Sequence, residues 1–242
     1  MRDLSISIFF PCYNEQDNVE RTVAAALSAC NELFSDFEII IVNDGSNDRT
    51  GEIADRLAAK YERVRAEHNP TNLGYGGALQ RGFASARKEY VFFTDGDGQF
   101  DIREIKLLVD GLGDGCDAGD QDSYDVMVGY RLDRQDPFIR KVNAWCWTTL
   151  CNTVFGMRIR DIDCAFKLIP RRLLDGISLH SSGAMISAEL LARLTRKGVR
   201  IGQVGVHHFP RRAGQPTGAN PKVILRAFIE LFKLRKKILA EA

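Results

Sequence analysis

Residues 90–101 read Tyr-Val-Phe-Phe-Thr-Asp-Gly-Asp-Gly-Gln-Phe-Asp, an apolar run that stops abruptly at carboxylates. The first four residues are β-branched or aromatic, which is typical of a short, buried parallel strand. Asp95 and Asp97 follow this strand, each with a glycine after it. Because open α/β sheets bind their ligands at the carboxyl ends of the strands, we expect both carboxylates in one crevice. Such a pair suits Mg²⁺ or Mn²⁺, which prefer oxygen ligands and can keep coordination positions open.

Two other interpretations of this segment compete with a metal site of that kind. Aspartate and glycine are common turn formers, so residues 95–98 are also compatible with a plain loop. A calcium site of the helix-loop-helix type is excluded, because the sixth position counted from Asp95 is Phe100 and the twelfth is Lys106. That calcium loop needs glycine and glutamate at these positions. The choice between a loop and a Mg²⁺ or Mn²⁺ site therefore depends on the rest of the chain.

The composition predicts one globular domain with a C-terminal extension. The chain has 242 residues, of which 45% are hydrophobic and 27% are charged, and this is enough for a sizeable core. No apolar run approaches the length of a transmembrane helix, and the N-terminus leads almost directly into a strand without a signal peptide. We therefore expect a cytoplasmic protein that is neither secreted nor membrane-spanning, with its six cysteines reduced.

The charge is distributed unevenly along the chain, although the net charge is only +1. From residue 207 to the end there are eight Lys or Arg residues against two Glu residues, so this end is basic and the remainder is acidic. An acidic body argues against a nucleic-acid groove across the whole surface. A basic end favours a local anionic partner, such as a membrane or a phosphate group.

Strand and helix patterns alternate along the chain. The predicted strands are residues 5–10, 37–42, 64–68, 90–93, 125–130 and 199–206. The predicted helices lie near residues 19–30, 53–61, 78–86, 102–112, 138–155 and 184–196. This alternation predicts an α/β fold with a mostly parallel sheet flanked by helices. The glycine- and aspartate-rich residues 113–123 are predicted to form a surface loop.

Three further carboxylates, Asp161, Asp163 and Glu189, are flanked by apolar residues. Asp and Glu are rarely buried without partners, so such positions indicate either a functional site or a structural ion pair with a neighbouring arginine. Both interpretations stay open for each of the three.

Three motifs carry a family resemblance: Phe-Pro-Cys-Tyr-Asn-Glu at residues 10–15, Asn-Asp-Gly-Ser-Asn-Asp-Arg-Thr at 43–50 and Thr-Asp-Gly-Asp-Gly-Gln at 94–99. In this order and spacing they resemble the family 2 glycosyltransferases of the GT-A fold. Within that family the chain is most similar to the polyprenyl-phosphate hexosyltransferases, the group of dolichol-phosphate mannose synthase. The resemblance extends over about residues 5–218 and implies a catalytic domain over residues 1–218.

The resemblance implies a role for particular residues. The nucleotide-sugar pocket would be formed by Pro11, Tyr13, Glu15, Asp44, Asp95 and Gln99. Asp95 and Asp97 would hold Mg²⁺ or Mn²⁺ on the diphosphate. Arg131 and Arg211 would lie near phosphates, where an arginine can pair with two oxygens of the acceptor phosphate. The family motif Asp-x-x-Ser-Gly-Phe-Arg becomes Asp-Ile-Asp-Cys-Ala-Phe-Lys at residues 161–167, so either aspartate of this segment can take the catalytic position.

The activity that the resemblance implies is metal-dependent, inverting transfer of a hexose. The donor would be a nucleotide-diphosphate sugar of the GDP-mannose or UDP-glucose type, and the acceptor a polyprenyl or dolichyl phosphate or another membrane-associated group. A hydroxyl acceptor needs a general base, for which Asp161, Asp163 and Glu189 are the candidates. A phosphate acceptor is already anionic and depends more on the arginines that position it.

Several alternatives to this activity were open from the sequence. The acceptor can instead be the hydroxyl group of a soluble molecule or a glycan. The chain can also be a non-catalytic subunit that binds a nucleotide sugar, although intact Asp95 and Asp97 argue against a decayed site. The glycine-, Arg- and Lys-bearing first loop of nucleotidyltransferases is replaced here by Cys-Tyr-Asn-Glu-Gln. The Gln-x-x-Arg-Trp motif of processive polysaccharide synthases is absent, which argues against a polymerase.

Residues 219–242 form a separate C-terminal segment, in which residues 221–239 predict a basic amphipathic helix. Lys222, Arg226, Glu230, Lys233 and Lys237 fall in one stripe, and the apolar residues fill a broad opposite face. This pattern suits a helix that lies on the cytoplasmic face of a membrane and does not span it. Packing of the apolar face on the body of the protein, or on a second copy in a homodimer, is equally compatible with the pattern. A lead-in to membrane helices is a third interpretation.

Overall fold

Strand β1 (Ile6–Cys12) lies inside a seven-stranded sheet and is buried along almost its whole length. The computed structural model describes residues 4–112, 124–132, 138–211 and 221–240. The other strands are β2 (Phe37–Asp44), β3 (Val64–Asn69), β4 (Tyr90–Phe93), β5 (Val126–Leu132), β6 (Lys167–Pro170) and β7 (Ile201–His207). The helices are α1 (Val19–Leu33), α2 (Thr50–Lys60), α3 (Gly74–Ser85), α4 (Ile105–Gly111), α5 (Phe138–Phe155), α6 (Arg171–Leu174), α7 (Met185–Arg196) and α8 (Pro221–Ala240).

The strand order across the sheet is β3-β2-β1-β4-β6-β5-β7. Every pairing is parallel except those of β6, which runs antiparallel to both β4 and β5. The prediction of a mostly parallel sheet flanked by helices is therefore confirmed. Strand β6 was not predicted, because its four residues begin with a lysine and end with a proline, which hides the apolar centre.

The central strands form the core, as their continuous apolar sequences require. Phe9 on β1 stacks on Phe93 on β4 with ring centroids 5.5 Å apart, and both side chains are fully buried. Helix α3 crosses this pair at Gly82, where an added Cβ atom would lie 2.3 Å from the ring of Phe9. Only glycine lets the helix approach the strand this closely, so Gly82 sets the distance between α3 and the sheet.

Two predicted helices have different bounds in the structure. The helix predicted at residues 102–112 begins as a 3-10 turn, Ile102–Glu104, capped by the Asp101 side chain, and becomes α4 only at Ile105. Helix α3 begins at Gly74, four residues before the predicted start, and Gly74 has a positive φ of 80°. Glycines usually break helices, and this propensity hid the first turn of α3.

The described part of α8 packs against α5 and α7. Leu231, Leu234 and Ile238 are buried, whereas Phe232 is exposed. For these residues the structure agrees with the alternative in which the apolar face packs on the body. None of the described helices is long and apolar enough to cross a bilayer. The predicted boundary between residues 218 and 219 and the loop predicted at 113–123 lie outside the described residues.

Candidate active site

The carboxyl ends of β1, β2 and β4 surround a cavity of about 580 Å³. Parallel strands bring their ends to one edge, which is why motifs far apart in the sequence meet here. Seven predicted site residues line the cavity: Pro11, Tyr13, Glu15, Asp44, Asp95, Asp97 and Arg211. Asn14, Asn72, Gly74 and Tyr75 also line it.

A second cavity of about 400 Å³ lies at the opposite edge of the sheet, where β2 and β3 begin. Its charged side chains pair with one another, as Arg65 does with Glu38 and Lys88 with Asp36. The predicted site residues all belong to the described part of the chain, and none of them lines this cavity. The chemistry that the sequence predicts is thus concentrated at the carboxyl edge.

The loop after β1 and the loop after β2 are joined by hydrogen bonds. The Asn14 side chain accepts a hydrogen bond from the Asn47 backbone N–H at 2.9 Å, and the Asn14 N–H donates to Ser46 Oγ at 3.0 Å. The backbone N–H of Glu15 donates to Thr50 Oγ1 at 2.8 Å. Asn14 has a positive φ of 56°, which asparagine tolerates better than most residues. The first two sequence motifs therefore form one structural unit at the cavity wall.

Asp44 is buried at the end of β2 and holds the next loop in place. Its Oδ1 accepts hydrogen bonds from Asn69 Nδ2 at 2.7 Å and from the Leu73 backbone N–H at 3.0 Å. Two donors on one oxygen fix the orientation of this carboxylate at the cavity. Asp44 therefore presents a rigid hydrogen-bond acceptor to the cavity, and its predicted contact with the nucleotide stays a prediction.

Asp95 and Asp97 lie at the cavity where the sequence predicts them. The Tyr75 hydroxyl donates to Asp95 Oδ1 at 3.1 Å, and the Gln99 backbone N–H donates to Asp97 Oδ1 at 3.1 Å. Burial and then the charge of Asp97 raise the pKa of Asp95 to about 7. A cation relieves this crowding of negative charge, so the residues fit a divalent metal ion.

The two carboxylates would supply only part of a coordination shell. Over the described ranges, no group of three or more His, Cys, Asp or Glu side chains is arranged to hold a metal ion. Mg²⁺ is commonly held by one or two carboxylates together with phosphate oxygens and water. Under the predicted metal assignment, phosphate oxygens and water would complete the shell, and this assignment stays a prediction.

Arg211 reaches into the cavity and pairs with two of its carboxylates. Its Nη2 donates to Glu15 Oε1 at 2.9 Å and to Asp97 Oδ2 at 3.0 Å. Burial raises the pKa of Glu15, whereas Asn18 and Arg211 act in the opposite direction. The guanidinium thus lies against a carboxylate that is predicted to bind the metal, and its predicted contact with an acceptor phosphate stays a prediction.

Gln99 holds the backbone segment that leads to Arg211. Its side-chain Nε2 donates to the Phe209 carbonyl oxygen at 2.8 Å, and its own carbonyl accepts from the Phe209 N–H at 2.8 Å. Gln99 was predicted to bind the nucleotide sugar, but it is not among the residues that line the cavity. Its contacts in the structure are with the chain near Arg211.

Arg131 and Asp161 form a two-pronged ion pair. Arg131 Nε donates to Asp161 Oδ2 at 2.7 Å and Nη2 donates to Oδ1 at 2.8 Å. Both oxygens of the carboxylate are thereby engaged, and the Arg131 backbone N–H adds a third contact at 3.3 Å. For Asp161, these contacts match the structural ion pair left open by the sequence. Asp163 is half-buried on the same turn and acts electrostatically on Arg131 and Tyr75.

Glu189 is fully buried on α7 and is not among the residues that line the cavity. Its Oε1 accepts from Arg193 Nε at 3.1 Å, and its Oε2 accepts from the backbone N–H groups of His180 and Ser181 at 3.0 and 2.8 Å. These contacts fit the structural alternative for Glu189, in which an arginine four residues later on the helix pairs with it.

Tyr75, Asn69 and Lys167 were not predicted as site residues. Tyr75 stands among the glycines that open α3, and this glycine cluster could have signalled a close approach of the chain to the site. Asn69 ends the weak strand β3, where an amide before a loop gives no signal of its partner Asp44. Lys167 is fully buried, which its charge does not suggest.

Comparison with known proteins identifies the family. The family model described as glycosyl transferase family 2 matches residues 7–177. Glycosyltransferase AglD of Haloferax volcanii is 31% identical over 216 residues, covering 86% of this chain and 34% of that protein. The dodecaprenyl-phosphate galacturonate synthase of Rhizobium johnstonii is 27% identical over 216 residues, covering 88% of this chain and 62% of that enzyme. An undecaprenyl-phosphate 4-deoxy-4-formamido-L-arabinose transferase of Enterobacter is 28% identical over 212 residues, covering 87% and 61%.

This chain therefore spans between about a third and three fifths of the length of these relatives. Among solved structures, glucosyl-3-phosphoglycerate synthase of Mycobacterium tuberculosis with Mn²⁺, UDP-glucose and phosphoglyceric acid aligns with a TM-score of 0.69 and 19% identity. The alignment covers 96% of this chain and 80% of that one, and it supports the predicted GT-A fold. The family match over most of the chain, with the relatives named for polyprenyl phosphates, confirms the resemblance seen in the sequence. The chain belongs to glycosyl transferase family 2.

Proposed function

We propose that this protein transfers a hexose, with inversion, from a nucleotide-diphosphate sugar to a polyprenyl phosphate. The observation that carries the proposal is the cavity at the carboxyl edge of the sheet, with Asp44 on one wall and Asp95 and Asp97 on another. Relatives named for dodecaprenyl and undecaprenyl phosphate support the choice of acceptor.

On the donor side, Asp44 would accept a hydrogen bond from the nucleotide, and the joined loops around Asn14 would form the floor beneath it. Asp95 and Asp97 would hold Mg²⁺ or Mn²⁺, and such an ion supplies Lewis-acid stabilisation of the charge on the leaving diphosphate. The Tyr75 hydroxyl orients Asp95, so the first carboxylate is in place before the donor arrives. The structures of a relative by fold that carry Mn²⁺ or Mg²⁺ with UDP support this assignment.

On the acceptor side, an oxygen of the acceptor attacks the anomeric carbon, and the bond from that carbon to the diphosphate breaks. The diphosphate leaves with the electron pair. A phosphate oxygen needs no deprotonation, whereas a hydroxyl acceptor would pass its proton to a base. Asp161 is paired with Arg131 and Glu189 with Arg193, whereas Asp163 acts electrostatically on Tyr75, which lines the cavity. We therefore assign this role to Asp163.

Arg211 would reach the acceptor phosphate only after it leaves Asp97. Asp97 would also be a ligand of the metal ion, through the carboxylate that now accepts a hydrogen bond from Arg211. Once separated from Asp97, the guanidinium would be able to pair with two oxygens of the anionic acceptor. Two donors of Arg131 already bind Asp161, so Arg131 would assist binding of the acceptor through its positive charge.

The lipid acceptor would be reached at the cytoplasmic face of a membrane. The described part of α8 exposes Phe232 together with four cationic residues, Lys233, Arg235, Lys236 and Lys237. Basic residues near an anionic leaflet contribute about 1 kcal/mol each to binding. Contact through this surface leaves the packing of Leu231, Leu234 and Ile238 intact.

The proposal is tested by incubating the protein with Mn²⁺, polyprenyl phosphate and a panel of radiolabelled sugars carried by UDP or GDP. We expect one donor to label the lipid fraction, and the Asp97→Ala variant to leave it unlabelled. Transfer to a soluble acceptor but never to the lipid would contradict the assignment of a polyprenyl phosphate as the acceptor. Protection of the protein from melting by a nucleotide sugar, without turnover of any donor, would instead indicate a non-catalytic binding subunit.

A further inference from the structure

Lys167 begins β6 and is fully buried. A lysine is almost never fully buried unless it has partners for its charge. In the sheet it lies opposite Phe93, the last residue of β4, and its ammonium group is 5.4 Å from the centre of the Phe93 ring. A positive charge is therefore embedded beside the strand end that carries the two aspartates of the cavity.

The ammonium group bonds to the backbone on both sides of Asp163. It donates to the carbonyl oxygen of Ile162 at 3.1 Å and to the carbonyl oxygen of Cys164. The same turn is closed by the Cys164 N–H, which donates to the Asp161 carbonyl at 3.4 Å. One side chain thus fixes the residue before Asp163 and the residue after it.

The charge of Lys167 also acts on the carboxylates around it. Burial lowers the pKa of Lys167, whereas Asp161, Asp163 and Asp95 act in the opposite direction. Asp161 is held separately by Arg131, so the turn is anchored at its first residue by one cation and around Asp163 by another. A neutral side chain in place of Lys167 would leave two buried carbonyl groups without their donor.

We propose that Lys167 is a positioning residue that clamps the backbone around Asp163 and so fixes this carboxylate beside the acceptor. The clamp itself is independent of the identity of the substrates. Its effect on catalysis rests on the proposed function, in which Asp163 lies on the acceptor side.

The first experiment measures amide hydrogen exchange in the wild type and in the Lys167→Met and Lys167→Arg variants. Methionine keeps most of the volume and removes the donors, whereas arginine keeps the charge and the donors. In the methionine variant we expect exchange over residues 161–166 to be faster by about tenfold or more, with β2 unchanged. Arginine should restore slow exchange. Unchanged exchange in the methionine variant, or faster exchange across the whole chain, would overturn the clamp.

The second experiment measures transfer with the donor and lipid phosphate identified for the wild type. We expect Lys167→Met to lower kcat by about 100-fold, because displacement of a carboxylate that borders the acceptor misplaces the attacking phosphate oxygen, and to leave KM for the donor within about twofold. Lys167→Arg should recover most of the rate, and adding Asp163→Asn to Lys167→Met should cost little more. Faster exchange of the turn with unchanged kcat would overturn the positioning role. Absence of transfer by the wild type would contradict the proposed function. The hydrogen-exchange data would still test whether Lys167 clamps the backbone around Asp163.

Discussion

Replacement of Arg211 by alanine should tighten the binding of Mn²⁺ to the protein without nucleotide. Arg211 Nη2 donates to Asp97 Oδ2 at 3.0 Å and to Glu15 Oε1 at 2.9 Å, so a metal ion on Asp97 has to displace it. Removal of the guanidinium abolishes this competition. It also removes a positive charge in contact with Asp97, which acts in the same direction.

The size of the effect follows from the two contacts. A hydrogen bond that involves a charged group contributes about 1.5–3 kcal/mol. The two bonds share one nitrogen atom, and the Arg211 side chain is 24% exposed, so the lower part of this range applies to the pair. About 1.5–2 kcal/mol corresponds to a dissociation constant for Mn²⁺ that is lower by about 10–30-fold.

The assay is a calorimetric titration of Mn²⁺ into wild type, Arg211→Ala and a matched control, Arg56→Ala. Arg56 also pairs with a carboxylate, Glu20, but both side chains are exposed on the surface between α1 and α2. The control should bind Mn²⁺ like the wild type. Unchanged or weaker Mn²⁺ binding by Arg211→Ala would refute the competition, and would mean that the ion binds away from Asp97 Oδ2.

Four other outcomes are expected. Asp97→Ala should lower the rate of sugar transfer by about 100-fold or more, because the leaving diphosphate loses its metal ion. The melting temperature should stay within a few degrees of the wild type. Full activity in this variant or in excess chelator would contradict the metal assignment. Because burial and Asp97 raise the pKa of Asp95 to about 7, protons compete with the metal below that value. Mn²⁺ affinity should therefore fall by up to about tenfold per pH unit below pH 7 and level off above it, and a flat profile from pH 5.5 to 8 would count against the site. Gly82→Ala places a Cβ 2.3 Å from the Phe9 ring and should cost about 1–3 kcal/mol in urea unfolding, whereas Gly183→Ala, with no atom within 4 Å, should be nearly neutral. Replacing Lys233, Lys236 and Lys237 by glutamate should lower the partition coefficient onto anionic vesicles by at least about 100-fold, at roughly 1 kcal/mol per lysine. Equal sedimentation of both forms would contradict membrane binding through this surface.

The parallel part of the fold was predictable because β-branched and aromatic runs such as Tyr90–Phe93 are buried on both sides. Each of these runs ends at a polar motif, and a parallel sheet brings the carboxyl ends of its strands to one edge. The meeting of the motifs could therefore be predicted before any contact was known. That is why Glu15, Asp44 and Asp95 could be placed at one edge in advance. Strand β6 could not be predicted in this way, since its four residues form a strand only by pairing with β4 and β5.

The partners of the charged residues could not be predicted from the sequence. Arg131 with Asp161 and Arg211 with Asp97 are pairs 30 and 114 residues apart, and no local pattern encodes them. Glu189 is the opposite case, because its partner Arg193 is one helical turn away and the pair is visible in the sequence. Spacing therefore distinguishes a structural carboxylate from a candidate base only when the partner lies on the same helix.

Strand β6 runs against β4 and β5, so the residues that enter it lie at the edge where those two strands end. The turn that carries Asp163 leads into the amino end of β6 and therefore lies at that edge. In the proposed function, the residues that hold the donor come mostly before residue 101, and the residues that meet the acceptor come after it. In that function, recombination within α4 would exchange the preference for an acceptor and leave the nucleotide preference unchanged.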